Sequence, residues 1–405
     1  MNVQTLSKEK SNQTFKILSI IAVIFIAFNL RPAITSIGPL IGLIRDDVGF
    51  SNWTVALLTS LPLIAFAMIS PVAPMLANKL TNEKAVATGL FILMIGISLR
   101  SISMVFFIFV GTFLLGAGIA VCNVILPALI REKFPYKIAL MTSIYTTSMA
   151  IFATLATAIS VPLLEVFNGN WQLSLIVWVI PAIIGILFLI MVIRKNNKMS
   201  PKSKVEIYEQ KRNGAIWKSS LAWRIAIFMG FQSLLFYVMI SWLPEILIDG
   251  GMSRTMAGYM LSYLQLIGIP VSFVIPIIAL KMKSQSPLVL IVNAMYLVGF
   301  VVLIFKPSLF ITITIVTFAG IAQSANFALA FVFFSVRGKT AKDSAELSGM
   351  AQSIGYVLAA IGPVFVGAIF DITNVWTVPL VLLSVITLVV IVMGMSAGKN
   401  RYVLE

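Results

Sequence analysis

The run ILSIIAVIFIAFNLRPAITSIGPLI, residues 17–41, decides the fold. A helix needs about 20 predominantly apolar residues to cross a hydrocarbon core roughly 30 Å thick. This run has that length and a single charge, Arg31. Lys8, Lys10 and Lys16 precede it, as basic residues precede the core of a signal peptide. The run is longer than a signal core, and no A-x-A-type cleavage site follows it. It reads as an uncleaved first membrane helix.

Composition extends that reading to the whole chain. Of 405 residues, 60% are hydrophobic and 11% charged, less than half the charge, about 25%, of a water-soluble domain. Further apolar runs fall near 53–76, 85–103, 104–130, 138–164, 171–193, 223–248, 254–280, 286–305, 308–336, 344–370 and 375–396. The expected fold is an all-α membrane protein of twelve transmembrane helices in two six-helix, pseudo-symmetric bundles. The bundles occupy 17–193 and 223–396; an N-terminal segment 1–16, a linker 194–222 and a C-terminal segment 397–405 complete the chain.

The charge is lopsided, with 29 Lys+Arg, 14 Asp+Glu and no histidine. An excess of cations can signal nucleic acid, so their placement decides. Only Arg45, Arg100, Arg254 and Lys306 fall in the loops opposite the linker, and Arg31 and Arg224 lie within helices. All the others lie in the termini, the linker and the loops on its side. The positive-inside rule puts that side, with both termini, in the cytoplasm of an inner membrane. The excess is a topology signal, and no nucleic-acid partner is expected. One cysteine, Cys122, permits neither an internal disulfide nor a cysteine metal cluster. Gly338-Lys339-Thr340 looks like the end of a phosphate-binding loop, but Phe333 stands where its first glycine belongs. No cofactor, metal or catalytic residue is expected.

The halves repeat. Ala117-Gly118-Ile119-Ala120 recurs as Ala319-Gly320-Ile321-Ala322, and Pro74, Ala77 and Lys79 recur as Pro276, Ala279 and Lys281. Ser143-Ile144 is echoed by Ser353-Ile354, and Pro162 and Trp171 by Pro363 and Trp376. The matches share their order and an offset of about half the chain. Six plus six spans in parallel repeats, joined by a basic linker, resembles the major facilitator superfamily. By that analogy a solute binds at mid-membrane between the halves, faced by helices 1, 4, 7 and 10.

Buried polar groups are costly in lipid and gather where water or solute reaches them. Helix 1 offers Asn29 and Arg31, helix 4 Asn123, helix 7 Gln232, and helix 10 Gln323 and Asn326. Helices 3, 6, 9 and 12 show one clear mid-span amide, Asn293. Arg31 lies about 21 Å along a helix of about 38 Å; an arginine there costs about 2.5–3.5 kcal/mol on insertion scales. Its planar fork suits a carboxylate or other oxyanion. The alternative is structural, with the guanidinium holding carbonyls or a neighbouring helix. Gln323 and Asn326, three apart, should share a face, as should Gln352 and Tyr356 in helix 11. Any of these groups could equally tie helices together. Tyr237, Tyr259 and Tyr263 could wall the cavity, and Trp242 fits an outer interfacial anchor. Glu245 is the one acid well inside a span and the candidate for proton coupling, or else an interfacial carboxylate.

Asn29-Leu30-Arg31-Pro32-Ala33-Ile34-Thr35-Ser36-Ile37-Gly38-Pro39-Leu40 resembles the first-helix signature of the bacterial cyanate and 2-nitroimidazole transporters. Asn123-Val124-Ile125-Leu126-Pro127-Ala128-Leu129-Ile130 is similar to their helix 4, Ser241-Trp242-Leu243-Pro244 to the end of their helix 7, and 347–356 with Gly362-Pro363 to their helix 11. The superfamily's loop motif between helices 2 and 3 is eroded: Pro74, Asn78, Thr81 and Asn82 replace two glycines, an acid and an arginine. The resemblance implies transport of a small anionic or polar solute, or export of nitro-aromatic drugs. A monomer in a bacterial inner membrane is expected. A non-transporting sensor would need an extramembrane domain, and the linker is too short to be one.

Overall fold

The computed structural model describes residues 3–50, 52–199 and 214–404. Residues 200–213 of the expected linker lie outside them. The described residues are almost entirely helical and contain no strand. Eleven helices are long and apolar enough to span a membrane, and a bent pair, Ser60–Ile69 and Ala73–Leu80 at 53°, makes twelve.

In chain order, helix 1 is Val3–Leu30 with a short continuation, Pro32–Thr35. Helix 2 is Asn52–Ile69 with Ala73–Leu80, helix 3 Asn82–Arg100, helix 4 Val105–Lys133, helix 5 Ile138–Val166, and helix 6 Trp171–Ile176 with Val179–Met199. The second half follows as helix 7 Ser220–Asp249, helix 8 Arg254–Lys281, helix 9 Ser286–Leu303, helix 10 Leu309–Arg337, helix 11 Ala341–Thr373 and helix 12 Thr377–Ala397. The expected runs match to within a few residues, except that helix 1 begins at Val3 and takes in most of the separate N-terminal segment.

Local chemistry sets the ends and breaks. Ser219 and Ser253 accept hydrogen bonds from the backbone N–H groups of Ala222 and Met256, capping helices 7 and 8. Thr340 and Asp343 cap helix 11 reciprocally, at 3.1 and 3.0 Å. Pro71 and Pro74 bring no N–H to the bend of helix 2, and Pro32 brings none to the break in helix 1.

Helices 1 to 6 pack among themselves, as do helices 7 to 12, and the halves meet chiefly along helix 5 with helix 8 and helix 2 with helix 11. A methyl group on Gly111 would overlap the Arg100 backbone, so helices 3 and 4 run backbone against backbone. Such close approach lets van der Waals packing hold helices together where lipid offers no hydrophobic drive.

Candidate functional site

Helix 1 breaks at Arg31. The proline that follows cannot complete the regular ladder, and the Arg31 carbonyl turns to accept from Ile34 and Thr35 N–H, both at 2.9 Å. Thr35 Oγ1 then bonds Ala153 O at 3.1 Å and Ser160 Oγ bonds Ser36 O at 3.0 Å, fixing the second piece of helix 1 to helix 5. The break aims the guanidinium between the halves. There it lies 5.5 Å from the Phe236 ring centre and 5.0 Å from that of Phe327. Cations over aromatic faces gain roughly 0.5–2 kcal/mol, more as water is excluded. No carboxylate pairs with Arg31 among the described residues.

Arg31 borders a cavity of about 80 Å³, room for a few waters or a compact solute, lined by Thr146, Ala150 and Thr154 of helix 5, Gln265 and Ser272 of helix 8, and Gln323, Ser324 and Phe327 of helix 10. The Gln323 Oε1 atom is buried and unpartnered among the described residues. One cation, an unsatisfied amide, hydroxyls and two rings therefore converge on one space. This arrangement can bind a small planar or anionic group through charge, hydrogen bonds and ring contact. No Asp or Glu is among the residues lining it.

Other residues expected at the site go elsewhere. Asn29 Nδ2 bonds Phe25 O at 2.6 Å and Pro181 O at 3.1 Å, so it ties helix 1 to helix 6, away from the cavity. Asn326 exchanges two bonds with Asn293 of helix 9, at 2.9 and 2.8 Å. Gln323 and Asn326 thus point to different neighbours, which corrects the shared face expected from their spacing. Gln232 Nε2 bonds Ser233 Oγ at 2.8 Å, within its own helix. Asn123 accepts from Tyr145 Oη at 2.9 Å, and its backbone carbonyl accepts from Gln352 Nε2 at 3.3 Å. Gln352 also bonds Ser348 Oγ. Tyr356 packs on Phe66, ring centres 4.6 Å apart. These last residues lie on the seam between the halves beside the cavity.

Glu245 is exposed near the end of helix 7. Tyr259 is 63% exposed and walls nothing, while Tyr263 Oη meets Thr317 Oγ1 at 3.1 Å. Trp242, expected as an interfacial anchor, donates its Nε1 to Pro363 O of helix 11 at 2.9 Å.

Sequence reasoning missed the contribution of helices 5 and 8. Gln265, a mid-span amide, was the available signal there. It also placed Arg100 in a loop. The structure buries that side chain to 1% exposure, with Nη1 donating to Ala33 O at 2.6 Å, just past the helix 1 break.

The hydrogen bonds seen between the halves gather toward one end. Among the described residues, five hydrogen bonds cross between them: Arg131 Nη1 to Ser335 O (2.6 Å), Arg131 Nη2 to Lys339 O (2.7 Å), Thr146 Oγ1 to Ser272 O (2.8 Å), Ser353 Oγ to Ala67 O (2.7 Å) and the Gln352–Asn123 bond. Each involves residues in the part of their helices nearer the linker. Gly349 belongs to the same seal: a methyl there would come within 2.7 Å of Ser70 O and 2.9 Å of Pro74 Cγ.

Comparison with known proteins agrees with this architecture. The Major Facilitator Superfamily profile matches residues 19–357. An uncharacterized transporter of Bacillus subtilis (strain 168), YycB, is 42% identical over 98% of this chain and 96% of its own length. The 2-nitroimidazole transporter of Escherichia coli (strain K12) is 35% identical over 95% of this chain and 96% of its own. Among solved structures, the proton:xylose symporter XylE bound to 6-bromo-6-deoxy-D-glucose superposes with a TM-score of 0.77 at 11% identity, over 97% of this chain and 98% of its own; it shares the fold. These relatives are transporters, not enzymes. The chain belongs to the major facilitator superfamily, as a multi-pass membrane transporter of the cyanate and 2-nitroimidazole type.

Proposed function

We propose that this chain moves a small anionic or polar solute across a bacterial inner membrane by alternating access, with Arg31 as the charge partner of the cargo. The observation that carries this reading is the placement of the Arg31 guanidinium. It stands at a helix break, faces the cavity between the halves, lies against Phe236 and Phe327, and has no paired carboxylate among the described residues. A carboxylate, a cyanate-like anion or a nitro-heterocycle would complete that site, its oxygen or nitrogen acceptors taking hydrogen bonds from the guanidinium. Gln323 adds an amide to the same ligand, and Gln352, Tyr356 and Asn123 frame it from the seam. Asn29, Gln232 and Asn326 support the scaffold.

The cation distribution puts the linker side in the cytoplasm. On this reading the five cross-half bonds hold the cytoplasmic end, as an outward-facing state requires. The two halves of one chain enclose the whole cavity, so a monomer suffices. With no acid on the cavity wall, exchange or facilitated passage is the coupling mode this reading favours. Glu245, exposed near the outer end of helix 7, is the candidate for the proton-coupled exporter that is its rival.

The test is thermal unfolding of purified protein against small anions, carboxylates and nitro-heterocycles. A cavity ligand at about 100 times its Kd stabilises by about 2.7 kcal/mol. Wild type and Glu245→Gln should show the rise in Tm, and Arg31→Ala should not. A rise that survives in Arg31→Ala removes Arg31 from the site, and one abolished by Glu245→Gln favours the exporter.

A further inference from the structure

A second cavity, of about 410 Å³, opens at the linker-side end of helices 7 and 12. Four cations line it, Lys218 and Arg224 at the start of helix 7 and Lys399 and Arg401 after helix 12, with Ser219, Ser220 and Ser396. None of its lining residues is acidic. Among the described residues, one hydrogen bond of these cations to a side chain is seen, Arg224 Nη1 to Ser396 Oγ at 2.6 Å. The cavity also takes in the first residues of a 30-residue helix, whose leading N–H groups point outward with a partial positive charge.

Its surroundings are those of a lipid boundary. Trp217 and Trp223 pack edge to face, 6.1 Å apart, and Trp223 Nε1 bonds Trp217 O at 2.8 Å. Both rings are about 40% exposed, and Val392, one turn up helix 12, is 61% exposed. Exposed indoles gather at headgroup level, and basic pockets between helix ends on the cytoplasmic side suit anionic headgroups.

We propose that this cavity binds the phosphate of an anionic phospholipid headgroup from the cytoplasmic leaflet. Lys218, Arg224, Lys399 and Arg401 supply the charge, and Trp217 and Trp223 seat the glycerol and upper acyl region. The site adjoins the seal between the halves. Val403 N–H bonds Arg337 O at 2.9 Å, Lys339 Nζ lies 5.6 Å from the Tyr402 ring centre, and Arg131 bonds Lys339 O. A headgroup that orders the tail therefore favours the closed cytoplasmic end. This inference is independent of the role assigned to Arg31.

The experiment is thermal unfolding of the full chain in neutral detergent, with phosphatidylglycerol, phosphatidylcholine or millimolar inorganic phosphate added. Phosphatidylglycerol alone should raise Tm, by about 3 °C or more, and the rise should shrink as salt is added. K218Q/R224Q/K399Q/R401Q should lose it. K399Q/R401Q, changed only in the tail beyond helix 12, should lose about half and guards against a folding defect in the larger variant. K137Q/K281Q/K283Q, neutral elsewhere on the same side, should keep it. A full rise in the fourfold variant, or an equal loss in the threefold one, overturns the site. An equal rise with inorganic phosphate overturns the lipid source.

Discussion

Glu83 and Lys133 close the linker-side end of helices 3 and 4 with an ion pair at 2.5 Å, their side chains 5% and 12% exposed. The second half builds the same corner from Gln285, the residue before helix 9, and Arg337, the last of helix 10. Here the acid is an amide, and the guanidinium is surrounded by acceptors: Gln285 Oε1, Ala397 O at 3.0 Å and Gly398 O at 3.1 Å. The carbonyls at the end of helix 12 carry its negative dipole end. One corner is held by charge, the other by oriented backbone. The neighbouring helix position differs as well: Arg131 in helix 4 donates across the halves, and Ser335 in helix 10 supplies a carbonyl to receive it. The repeat preserves geometry while dividing donor and acceptor roles between the halves.

The largest expected effect is in the charged corner. Removing one member of a buried pair leaves the other uncompensated, at a cost of about 3–5 kcal/mol. Glu132 lies 3.4 Å from Lys133 and takes over part of the role, so Glu83→Gln should cost about 3 kcal/mol by equilibrium unfolding in detergent. Adding Lys133→Gln should recover part of that loss by removing the stranded charge. An unchanged stability in the single variant would mean the two corners are held alike.

Next comes the link across the halves. Hydrogen bonds to a charged group are worth about 1.5–3 kcal/mol. Arg131→Gln should therefore shift the equilibrium about 10- to 100-fold toward opening at the linker side. Spin labels at Tyr136→Cys and Lys283→Cys, in a Cys122→Ala background, report this as a longer distance population. The same population without the substitution would show that the helix 2 and helix 11 contacts hold the seal alone.

How far the sequence reaches is visible in these corners. Twelve spans are legible because hydrocarbon thickness dictates the length of each apolar run, and Ala117–Ala120 with 319–322 betrays the repeat because its letters match. Glu83 and Gln285 do not look alike, so their equivalence emerges only when both corners are seen. Arg31 was legible as a cost that needs an offset. Asn29 and Asn326 were equally conspicuous, but a carbonyl on helix 6 and an amide on helix 9 satisfy them. A sequence shows which residues need partners and not which neighbouring helix supplies them. Asn293, noted as the exception among the outer helices, was the missing half of the Asn326 pair.

The smallest expected effect tests why position 285 is an amide at all. In the first half the carbonyl of Ala77 is satisfied by Thr81 N–H at 2.9 Å, so position 83 is free to carry an acid. Helix 8 ends without that turn, and the carbonyl of Ala279, the counterpart of Ala77, takes its donor from Gln285 Nε2 at 2.7 Å. Gln285 must donate to Ala279 and accept from Arg337 at once, which a carboxylate cannot do. Gln285→Glu makes the second corner look like the first, yet sets an oxygen against the Ala279 carbonyl. The gained ion pair offsets most of that, leaving a net loss of about 1 kcal/mol, the scale of one ordinary hydrogen bond. A gain in Tm would show that the pairing with Arg337 outweighs the donor requirement, and that the ends of helices 2 and 8 do not explain the difference between the corners.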